Sequence, residues 1–335
     1  MSSPRRTATI TAVGKYLPEK VVTNAELEES LDTTDEWIRS RTGIHQRHMV
    51  SNGETTSDMT VAAIRNLMEK YPLDVDKIDC IIVGTVTPDM LFPSTAAIVQ
   101  QKLGASNAWG FDLSAACSGF LFGLDTGTRF IESGRYEKVL VVGADAMSAV
   151  IDPSDRSTAI LFGDGAGVVL LEPCEDGSEG IMDSLLRIDG SGGDYLYMIG
   201  GGSRQPATAE SVAKGDHFLR QDGRAVYKAA VKGMADISAA IAQRNGLKAE
   251  NIRLFIPHQA NQRIIDASAE RLGLAAEQVL SNVAMYANTT AGTIPLGICD
   301  AVEDKLLQPG DNVLLAAFGA GFTWGGIYIK WGHTV

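Results

Sequence analysis

A cysteine, a histidine and an asparagine lie where strands of the predicted fold give way to helices. Cys117 would face unpaired backbone N–H groups and the positive end of a helix dipole, which favour a thiolate and can receive an oxyanion. His258 ends an apolar strand pattern at the sheet edge where α/β proteins bind ligands, and a helix end there would keep its imidazole neutral. Asn288 precedes a third helix and could donate a hydrogen bond from its amide. The set suits acyl transfer through a thioester on Cys117.

Each of these residues also has a plainer interpretation that the local pattern leaves open. Cys117 could be a small buried core residue, and Asn288 could be a helix cap. Of the other cysteines, we predict Cys80 and Cys299 in the core and Cys174 in a loop. Their spacing indicates neither a disulfide framework nor a zinc site. The remaining histidines lie in polar stretches and are expected at the surface: His45, His48, His217 and His333.

The elements that carry these residues follow a repeated pattern, in which apolar runs alternate with helical patterns as in βαβ units. One such region is predicted as helix 94–103, strand 108–113, helix 118–132 and strand 138–143. The apolar run at 77–84 matches that at 251–258, and the run at 139–143 matches that at 313–317, both at an offset of 174. We therefore predict an α/β fold of two duplicated halves around a pseudo-twofold axis, where corresponding strand-to-helix turns meet. The halves are 1–175, with the cysteine, and 176–335, with the histidine and asparagine.

Composition and charge narrow the function classes. Lys and Arg number 29 against 41 Asp and Glu, and the formal charge of −12 disfavours a nucleic-acid binder. The longest uncharged stretch, 278–299, is too polar for a membrane span, and the first residues lack the apolar segment of a secretory signal. We therefore expect a cytoplasmic protein. The glycine-rich segment 163–167 runs into a strand pattern, unlike a dinucleotide-binding loop, and the sequence has no P-loop or zinc-hydrolase motif.

Longer motifs give the sequence a specific resemblance. They are DEWIRSRTGI at 35–44, FPS at 92–94, AACSGF at 115–120, DR at 155–156, FGDGAG at 162–167, PHQANQRI at 257–264, NTTA at 288–291 and FGAGFTWG at 318–325. In these motifs, which span nearly the whole length, the chain resembles the β-ketoacyl-acyl carrier protein synthase III family. Its members are condensing enzymes of thiolase fold that initiate type II fatty acid synthesis. The resemblance implies a thiolase-like fold with layered helices and sheets.

The resemblance implies a role for each candidate residue. Cys117 would accept the acyl group of a short acyl-CoA, and the backbone N–H groups of Cys117 and Ala320 would form the oxyanion hole. His258 and Asn288 would stabilise the enolate that forms when a malonyl group on acyl carrier protein loses carbon dioxide. Coenzyme A enters as a substrate thioester, and neither a cofactor nor a metal is implied. Where family members often have glycine, this chain has Ala287 and Ala320, whose Cβ atoms restrict the backbone.

Binding surfaces follow from the same resemblance. The coenzyme A contacts would be Trp37, Arg41, Arg156, Gly223 and Asn261, with the indole and guanidinium planes around adenine. Phe92 would reach the acyl pocket of the partner subunit, which implies a homodimer.

An acidic carrier protein needs a basic docking surface, despite the negative total charge. The segment 220–232 has four cations against one acid, a net charge of +3. We predict that the carrier protein docks on Lys228, Lys232, Gln259, Ala260, Asn261, Gln262 and Arg263.

Three other functions stay open at this point. A papain-like hydrolase uses Cys, His and Asn in this chain order, although its local cysteine signature is absent. A relative of the same fold could load other acyl groups in specialised metabolism. A catalytically silent acyl-binding subunit is the third, and the complete Cys117, His258 and Asn288 set argues against it. We favour the condensing enzyme of fatty acid synthesis, with acetyl or a branched acyl group as its starter.

Overall fold

The computed structural model describes residues 6–332 and residue 334, so the surface position predicted for His333 lies outside the described residues. The strands are β1 (Thr7–Tyr16), β2 (Lys20–Thr23), β3 (Gln46–Met49), β4 (Cys80–Gly84), β5 (Trp109–Leu113), β6 (Val139–Asp145), β7 (Gly165–Cys174), β8 (Gly180–Ile188), β9 (Leu196–Tyr197), β10 (Arg220–Gln221), β11 (Leu254–Pro257), β12 (Asn312–Gly319) and β13 (Thr323–Lys330). The α-helices are α1 (Asn24–Glu28), α2 (Asp35–Thr42), α3 (Thr56–Lys70), α4 (Thr95–Leu103), α5 (Gly119–Glu132), α6 (Arg156–Ala159), α7 (Ala209–Ala213), α8 (Gly223–Arg244), α9 (Gln262–Leu272), α10 (Val283–Tyr286) and α11 (Thr293–Glu303).

Two larger sheets share one arrangement. The strand order is β1-β7-β6-β4-β5 in the first sheet and β11-β12-β13-β8 in the second. In the first, β4 runs parallel to β6, and β7 pairs with β6 antiparallel. In the second, β11 runs parallel to β12, and β13 pairs with β12 antiparallel. The same three-strand unit therefore occurs twice.

Helices α5 and α11 lie between the two sheets. Phe120 and Leu124 of α5 and Ile294 and Ile298 of α11 belong to one apolar cluster, which also takes in strand residues from both sheets. Helices α3 and α4 pack on the outer face of the first sheet, and α8 and α9 pack against the second. The predicted layered α/β architecture is confirmed, because each sheet has an apolar helix layer on both faces.

The offset of 174 holds at the level of single residues. Cys80 pairs with Val139 between β4 and β6, and Leu254 pairs with Val313 between β11 and β12. Each member of the second pair follows its counterpart by 174 positions. The predicted boundary at residue 175 lies in the connection between β7 and β8 and stays a prediction.

The turns that precede the two buried helices also match. Each contains a 3₁₀ turn, Ala116–Ser118 before α5 and Thr290–Gly292 before α11. Ala116 and Thr290 have φ values of 48° and 49°, which are unusual for residues other than glycine. Both positions again differ by 174, so the duplication extends to the backbone of the loops.

Most local predictions are confirmed with small shifts. The four elements predicted between 94 and 143 correspond to α4, β5, α5 and β6, and α4 begins after its N-cap Ser94, whose hydroxyl accepts from the Ala97 N–H at 3.2 Å. Cys80 and Cys299 are fully buried, as predicted. The loop position predicted for Cys174 is wrong, because this residue ends β7.

The surface positions predicted for the described histidines are confirmed only for His45. His48 and His217 are half-buried, and the Nδ1 atom of His48 lies 2.7 Å from the carbonyl oxygen of Pro18. Within residues 6–332 and 334, no helix has both the length and the apolar character that crossing a bilayer requires.

Candidate active site

Cys117 lies in the 3₁₀ turn that leads into α5, with 8% of its surface exposed. Burial, and then the negative charge of Asp145, raise the pKa of its thiol to about 12, although its own backbone N–H acts in the opposite direction. The thiolate predicted from the helix end is therefore wrong for the free protein, because loss of hydration outweighs the nearby N–H groups. Cys117 is a neutral thiol at neutral pH.

The end of β12 packs directly against this turn. A Cβ atom on Gly319 would lie 2.6 Å from the backbone nitrogen of Cys117, so only glycine leaves that N–H accessible. The next residue, Ala320, lines the same cavity as Cys117. The turn and cap hydrogen bonds of the described residues use neither the Cys117 nor the Ala320 N–H group. Ala320 is not among the described residues of positive φ, so its Cβ causes no backbone strain.

His258 directly follows β11 and is 1% exposed. Burial lowers the pKa of its imidazole to about 3, so the predicted neutral ring is confirmed, with burial rather than a helix end as its cause. The Nδ1 atom lies 2.7 Å from the hydroxyl oxygen of Thr293, the first residue of α11. With Nδ1 engaged there, Nε2 is the ring nitrogen left for a substrate.

Asn288 is held at three points. Its N–H donates to the Leu161 carbonyl at 3.0 Å, its carbonyl accepts from the Gly163 N–H at 3.1 Å, and its side-chain Oδ1 accepts from the Thr290 N–H at 2.9 Å. Because Oδ1 is occupied, the Nδ2 amide group is the part that can donate into the cavity. Asn288 is not the N-cap of α11, which is Gly292, but its Oδ1 accepts from the first N–H of the 3₁₀ turn that precedes this helix.

Asp145 organises the turn that carries Asn288, and the sequence reasoning missed it. Its Oδ1 accepts from the Thr85 hydroxyl at 2.9 Å and the Val86 N–H at 2.7 Å, and also from the N–H and the hydroxyl of Thr87 at 3.1 and 2.9 Å. Its Oδ2 accepts from the Thr290 hydroxyl and the Ala291 N–H. The carboxyl thereby joins a loop after β4 to the turn before α11. One acidic residue at the end of an otherwise apolar strand was the available sequence signal.

Two cavities meet at Cys117. One, of about 140 Å³, is lined by Cys117, His258 and Asn288, so the structure brings the three predicted catalytic residues together. Its wall includes two predicted coenzyme A contacts, Gly223 and Asn261. The second cavity, of about 150 Å³, also reaches Cys117 and shares Phe162 and Leu196 with the first. Its apolar wall includes Val86, Met147, Val150, Met198 and Leu219.

The other predicted coenzyme A contacts cluster around Trp37, which is 39% exposed. The guanidinium carbon of Arg156 lies 5.1 Å from the indole centroid, and that of Arg41 lies 6.0 Å from it. The Asn261 amide donates to the Arg41 carbonyl at 3.1 Å, which links this cluster to the wall of the first cavity. Arg156 also donates to the Asp32 carbonyl at 2.5 Å.

The predicted docking residues do not all lie at the surface. Lys228, Lys232 and Arg263 are exposed on α8 and α9, and Ala260, Asn261 and Gln262 are half-buried. Gln259 is a correction, because it is fully buried. Its amide donates to the Pro257 and Leu280 carbonyls at 2.8 and 3.2 Å, and its Oε1 accepts from the Asn282 N–H at 3.0 Å. The Gln259 side chain therefore fixes the segment that leads into α10, and it is not available for docking.

Comparisons with known proteins agree with this geometry. A family model described as 3-oxoacyl-[acyl-carrier-protein] synthase III matches residues 111–190, and the model of its C-terminal part matches residues 242–331. The chain is 55% identical over 326 residues to the β-ketoacyl-[acyl-carrier-protein] synthase III of Chlorobium phaeovibrioides, covering 97% of this chain and 99% of that one.

Solved structures are similar over the same extent. The β-ketoacyl-[acyl carrier protein] synthase III of Thermus thermophilus matches with a TM-score of 0.90 and 43% identity, covering 97% of this chain and 99% of that one. The priming β-ketosynthase of the R1128 polyketide biosynthetic pathway matches with a TM-score of 0.90 and 34% identity, covering 99% of this chain and 98% of that one.

Proposed function

The chain belongs to the β-ketoacyl-acyl carrier protein synthase III family, and from that premise we propose how its own residues carry the reaction. It is a condensing acyltransferase of thiolase fold that performs the initiating condensation of type II fatty acid synthesis. The hydrolase and the silent acyl-binding subunit are therefore wrong. The residue roles rest on one observation, which is that Cys117, His258 and Asn288 line a single cavity.

In the first half-reaction, Cys117 takes the acyl group from acyl-CoA. Thiol and imidazole are both neutral in the free protein, so His258 Nε2 accepts the thiol proton as the sulfur attacks the acyl carbonyl. The N–H groups of Cys117 and Ala320 receive the charge on the carbonyl oxygen. When the tetrahedral intermediate collapses, the bond from the acyl carbon to the coenzyme A sulfur breaks, and that sulfur takes the proton from His258.

In the second half-reaction, malonyl-acyl carrier protein loses carbon dioxide, and the remaining electron pair spreads onto its thioester oxygen as an enolate. The Asn288 Nδ2 group and His258 Nε2–H donate to that oxygen. The carbanion attacks the thioester carbon on Cys117, a carbon–carbon bond forms, and the bond to the cysteine sulfur breaks. A proton from solvent restores the thiol, and the β-ketoacyl group stays on the carrier protein.

Coenzyme A would reach Cys117 through the first cavity. Arg156 stacks on Trp37 in the structure, so adenine would enter between them and break the bond from Arg156 to the Asp32 carbonyl. Asn261 and Gly223 lie along the way from this stack to the cysteine. No cofactor takes part in these steps, and coenzyme A itself is a substrate.

The second cavity would hold the starter acyl group of a homodimeric enzyme. Its wall is apolar, which suits acetyl or a short branched chain. Phe92 is 83% exposed beside exposed Leu91, and the edge strand β5 has no partner on its outer side among the described residues. An exposed apolar loop and an open edge strand support a second subunit there, with Phe92 completing its partner's cavity. Sedimentation of a monomer at assay concentrations would contradict this assignment.

Docking of the carrier protein would use the exposed cations beside the cavity. Lys228, Lys232 and Arg263 are all exposed, but Lys232 is paired with Asp236 at 2.9 Å and the Arg263 guanidinium donates to the Ser40 carbonyl of α2 at 2.8 Å. Within the described residues the Lys228 side chain makes no ion pair or hydrogen bond. We therefore rank Lys228 above Lys232 and Arg263 as a carrier contact, in an enzyme that works in the cytoplasm. Charge reversal at Lys228 should raise the KM for malonyl-acyl carrier protein and leave that for acyl-CoA nearly unchanged.

The division of roles is tested by separating the half-reactions. Asn288→Ala should lower the condensation rate by about 10²–10³, while acylation of Cys117 by labelled acyl-CoA is largely kept. The exposed Asn107, whose amide donates to the Asp76 carbonyl, provides a control as Asn107→Ala. Equal loss of both half-reactions in the Asn288 variant would contradict the assignment.

A further inference from the structure

The partner of His258 Nδ1 is a hydroxyl, and this choice has chemical consequences. Thr293 is 1% exposed, and its Oγ1 lies 2.7 Å from Nδ1 and 3.1 Å from the Thr290 carbonyl oxygen. A hydroxyl has one hydrogen and two lone pairs, so it can donate to either neighbour and accept from the ring when it donates elsewhere. A carbonyl or carboxylate in its place would only accept, and would keep the proton on Nδ1.

The two directions of the Thr293 hydroxyl correspond to the two neutral forms of His258. When the hydroxyl donates to the Thr290 carbonyl, it accepts from Nδ1–H, and Nε2 has a free lone pair. When it donates to Nδ1, the ring proton is on Nε2. Turning costs little, because the Thr290 carbonyl still accepts from the Thr293 backbone N–H in either case.

The proposed reaction needs both forms. In the first half-reaction Nε2 accepts the thiol proton, and in the second Nε2–H donates to the enolate oxygen. A ring locked in one neutral form would serve one half-reaction and oppose the other.

The first half of the molecule has no such pair. The residues 174 positions before His258 and Thr293 are Gly84 and Gly119, which contact each other directly: a Cβ on Gly119 would lie 3.4 Å from the Gly84 Cα. The same backbone arrangement therefore exists without either side chain. Imidazole and hydroxyl occur together only in the half that handles the enolate.

We propose that Thr293 is a positioning residue that holds His258 through Nδ1 and, by turning its hydroxyl, allows Nε2 to accept a proton in one half-reaction and donate a hydrogen bond in the other. Interconversion moves one proton from Nδ1 to Nε2 with water as the carrier, so the charge of the ring is unchanged. This inference rests on the proposed function.

The test compares three variants in the two separated half-reactions. Thr293→Val removes the hydroxyl at nearly constant volume and should lower, by about 10- to 100-fold, the rate of the half-reaction that needs the neutral form of His258 which the valine variant disfavours. Thr293→Ser keeps the hydroxyl and should restore most of that loss. Thr128→Val is the matched control, because Thr128 is a fully buried threonine on the other central helix whose hydroxyl donates only to the Leu124 carbonyl, at 2.7 Å. The Thr128→Val protein should be less stable than the unmutated enzyme but should keep its condensation rate.

A spectroscopic measurement separates tautomer control from a simple packing effect. In protein labelled with ¹⁵N-histidine, the nitrogen shifts of His258 should report both neutral forms in the unmutated enzyme and one dominant form in Thr293→Val. A single form in both the free and the acylated unmutated enzyme would overturn the proposal, even if the valine variant failed to fold.

Two kinetic results would overturn it as well. One is a serine variant as impaired as the valine variant, and the other is a valine variant with unchanged rates. If the unmutated enzyme neither acylates Cys117 nor condenses malonyl-acyl carrier protein, the proposed function itself fails. That result is distinct from any difference among the variants.

Discussion

The two halves of the molecule share one backbone plan and divide the chemistry between them. Three positions in and around the central turns differ in side chain although their backbones correspond. Each pair of positions is 174 residues apart: Gly84 in the first half corresponds to His258 in the second, Cys117 to Ala291, and Gly119 to Thr293. In the proposed reaction, the first half supplies a nucleophile without an acid–base group, and the second supplies an acid–base group without a nucleophile.

Packing explains why the groups are not interchangeable. In the first half, a Cβ on Gly84 would lie 2.8 Å from the Gly119 carbonyl carbon, so α5 packs directly on β4. In the second half, the corresponding space holds an imidazole and a threonine. Ala291 is 1% exposed and lines neither of the two cavities that meet at Cys117. Duplication supplied two equivalent turns, and contact with the cavity distinguishes them.

The largest expected effect comes from moving the nucleophile to the other half. Cys117→Ala should abolish acylation, with a loss of about 10⁴ or more in rate. Adding Ala291→Cys should restore nothing, because position 291 has no access to the cavity. The measurement is the protein mass after incubation with labelled acyl-CoA. A label at position 291 would show that the two turns are functionally equivalent and would contradict the division of chemistry between the halves.

A smaller loss is expected where β12 of the second half meets the turn of the first. In Gly319→Ala, the new methyl group would lie 2.6 Å from the Cys117 nitrogen and would displace or cover that N–H. Acylation and condensation should both fall by about 10²–10³, because the same N–H receives the oxyanion of each tetrahedral intermediate. Unlike Asn288→Ala, this variant should not separate the half-reactions.

The control for this change is Gly190→Ala. A Cβ atom at Gly190 meets no atom within 4 Å, and its φ is not in the left-handed region. The rates of acylation and condensation in this variant should both stay near those of the unmutated enzyme. A Gly319 variant that lost only condensation would contradict the shared oxyanion hole.

Much of the fold could be read from the sequence because its signals are local. The apolar runs predicted the central strands, and the offset of 174 reappears in the register of Cys80 with Val139 and of Leu254 with Val313. The candidate catalytic set, whose members line one cavity, was predicted from residue type and from position at strand-to-helix turns. These features require no knowledge of what packs above or below a given residue.

The features that the sequence reasoning missed depend on three-dimensional surroundings. The helix end at Cys117 favoured a thiolate, but burial and the charge of Asp145 reverse that preference. Gln259 has a polar side chain inside a recognisable motif, yet the structure buries it among backbone groups. Thr293 showed no signal of its own, because a threonine at the start of a helix is ordinary in sequence. Its contact with His258 exists only in the folded chain.

The buried imidazole, absent from the first half, should make stability depend on pH. In the folded state the pKa of His258 is lowered to about 3, against about 6.5 when unfolded. Between these values the unfolded chain binds one more proton, so the free energy of unfolding should fall by about 1.4 kcal/mol for each pH unit below 6.5. Urea titrations at pH 7, 6 and 5 measure this slope.

The matched comparison is His258→Gln, which should lack this part of the slope. The buried carboxyls of Asp145 and Asp164 have raised pKa values and act in the opposite direction, but they are present in both proteins and cancel in the difference. Equal slopes in the two proteins would mean that His258 is hydrated or paired in solution.

A last expected effect concerns the stability contributed by Ala287, one of the two alanines found where the family often has glycine. Its φ of 56° and ψ of −155° lie in a region nearly confined to glycine, whereas Leu113, 174 positions earlier, ends the regular strand β5. Ala287→Gly removes strain of about 1–3 kcal/mol but loses a buried methyl group, worth about 0.8 kcal/mol, and gains unfolded-state entropy.

Ala317→Gly, at a fully buried position in β12 without positive φ, has the same two costs and no strain to relieve. In chemical denaturation the first variant should therefore be more stable than the second by about 1–3 kcal/mol. Equal losses of unfolding free energy in the Ala287 and Ala317 variants would mean that the turn before Asn288 forms without strain.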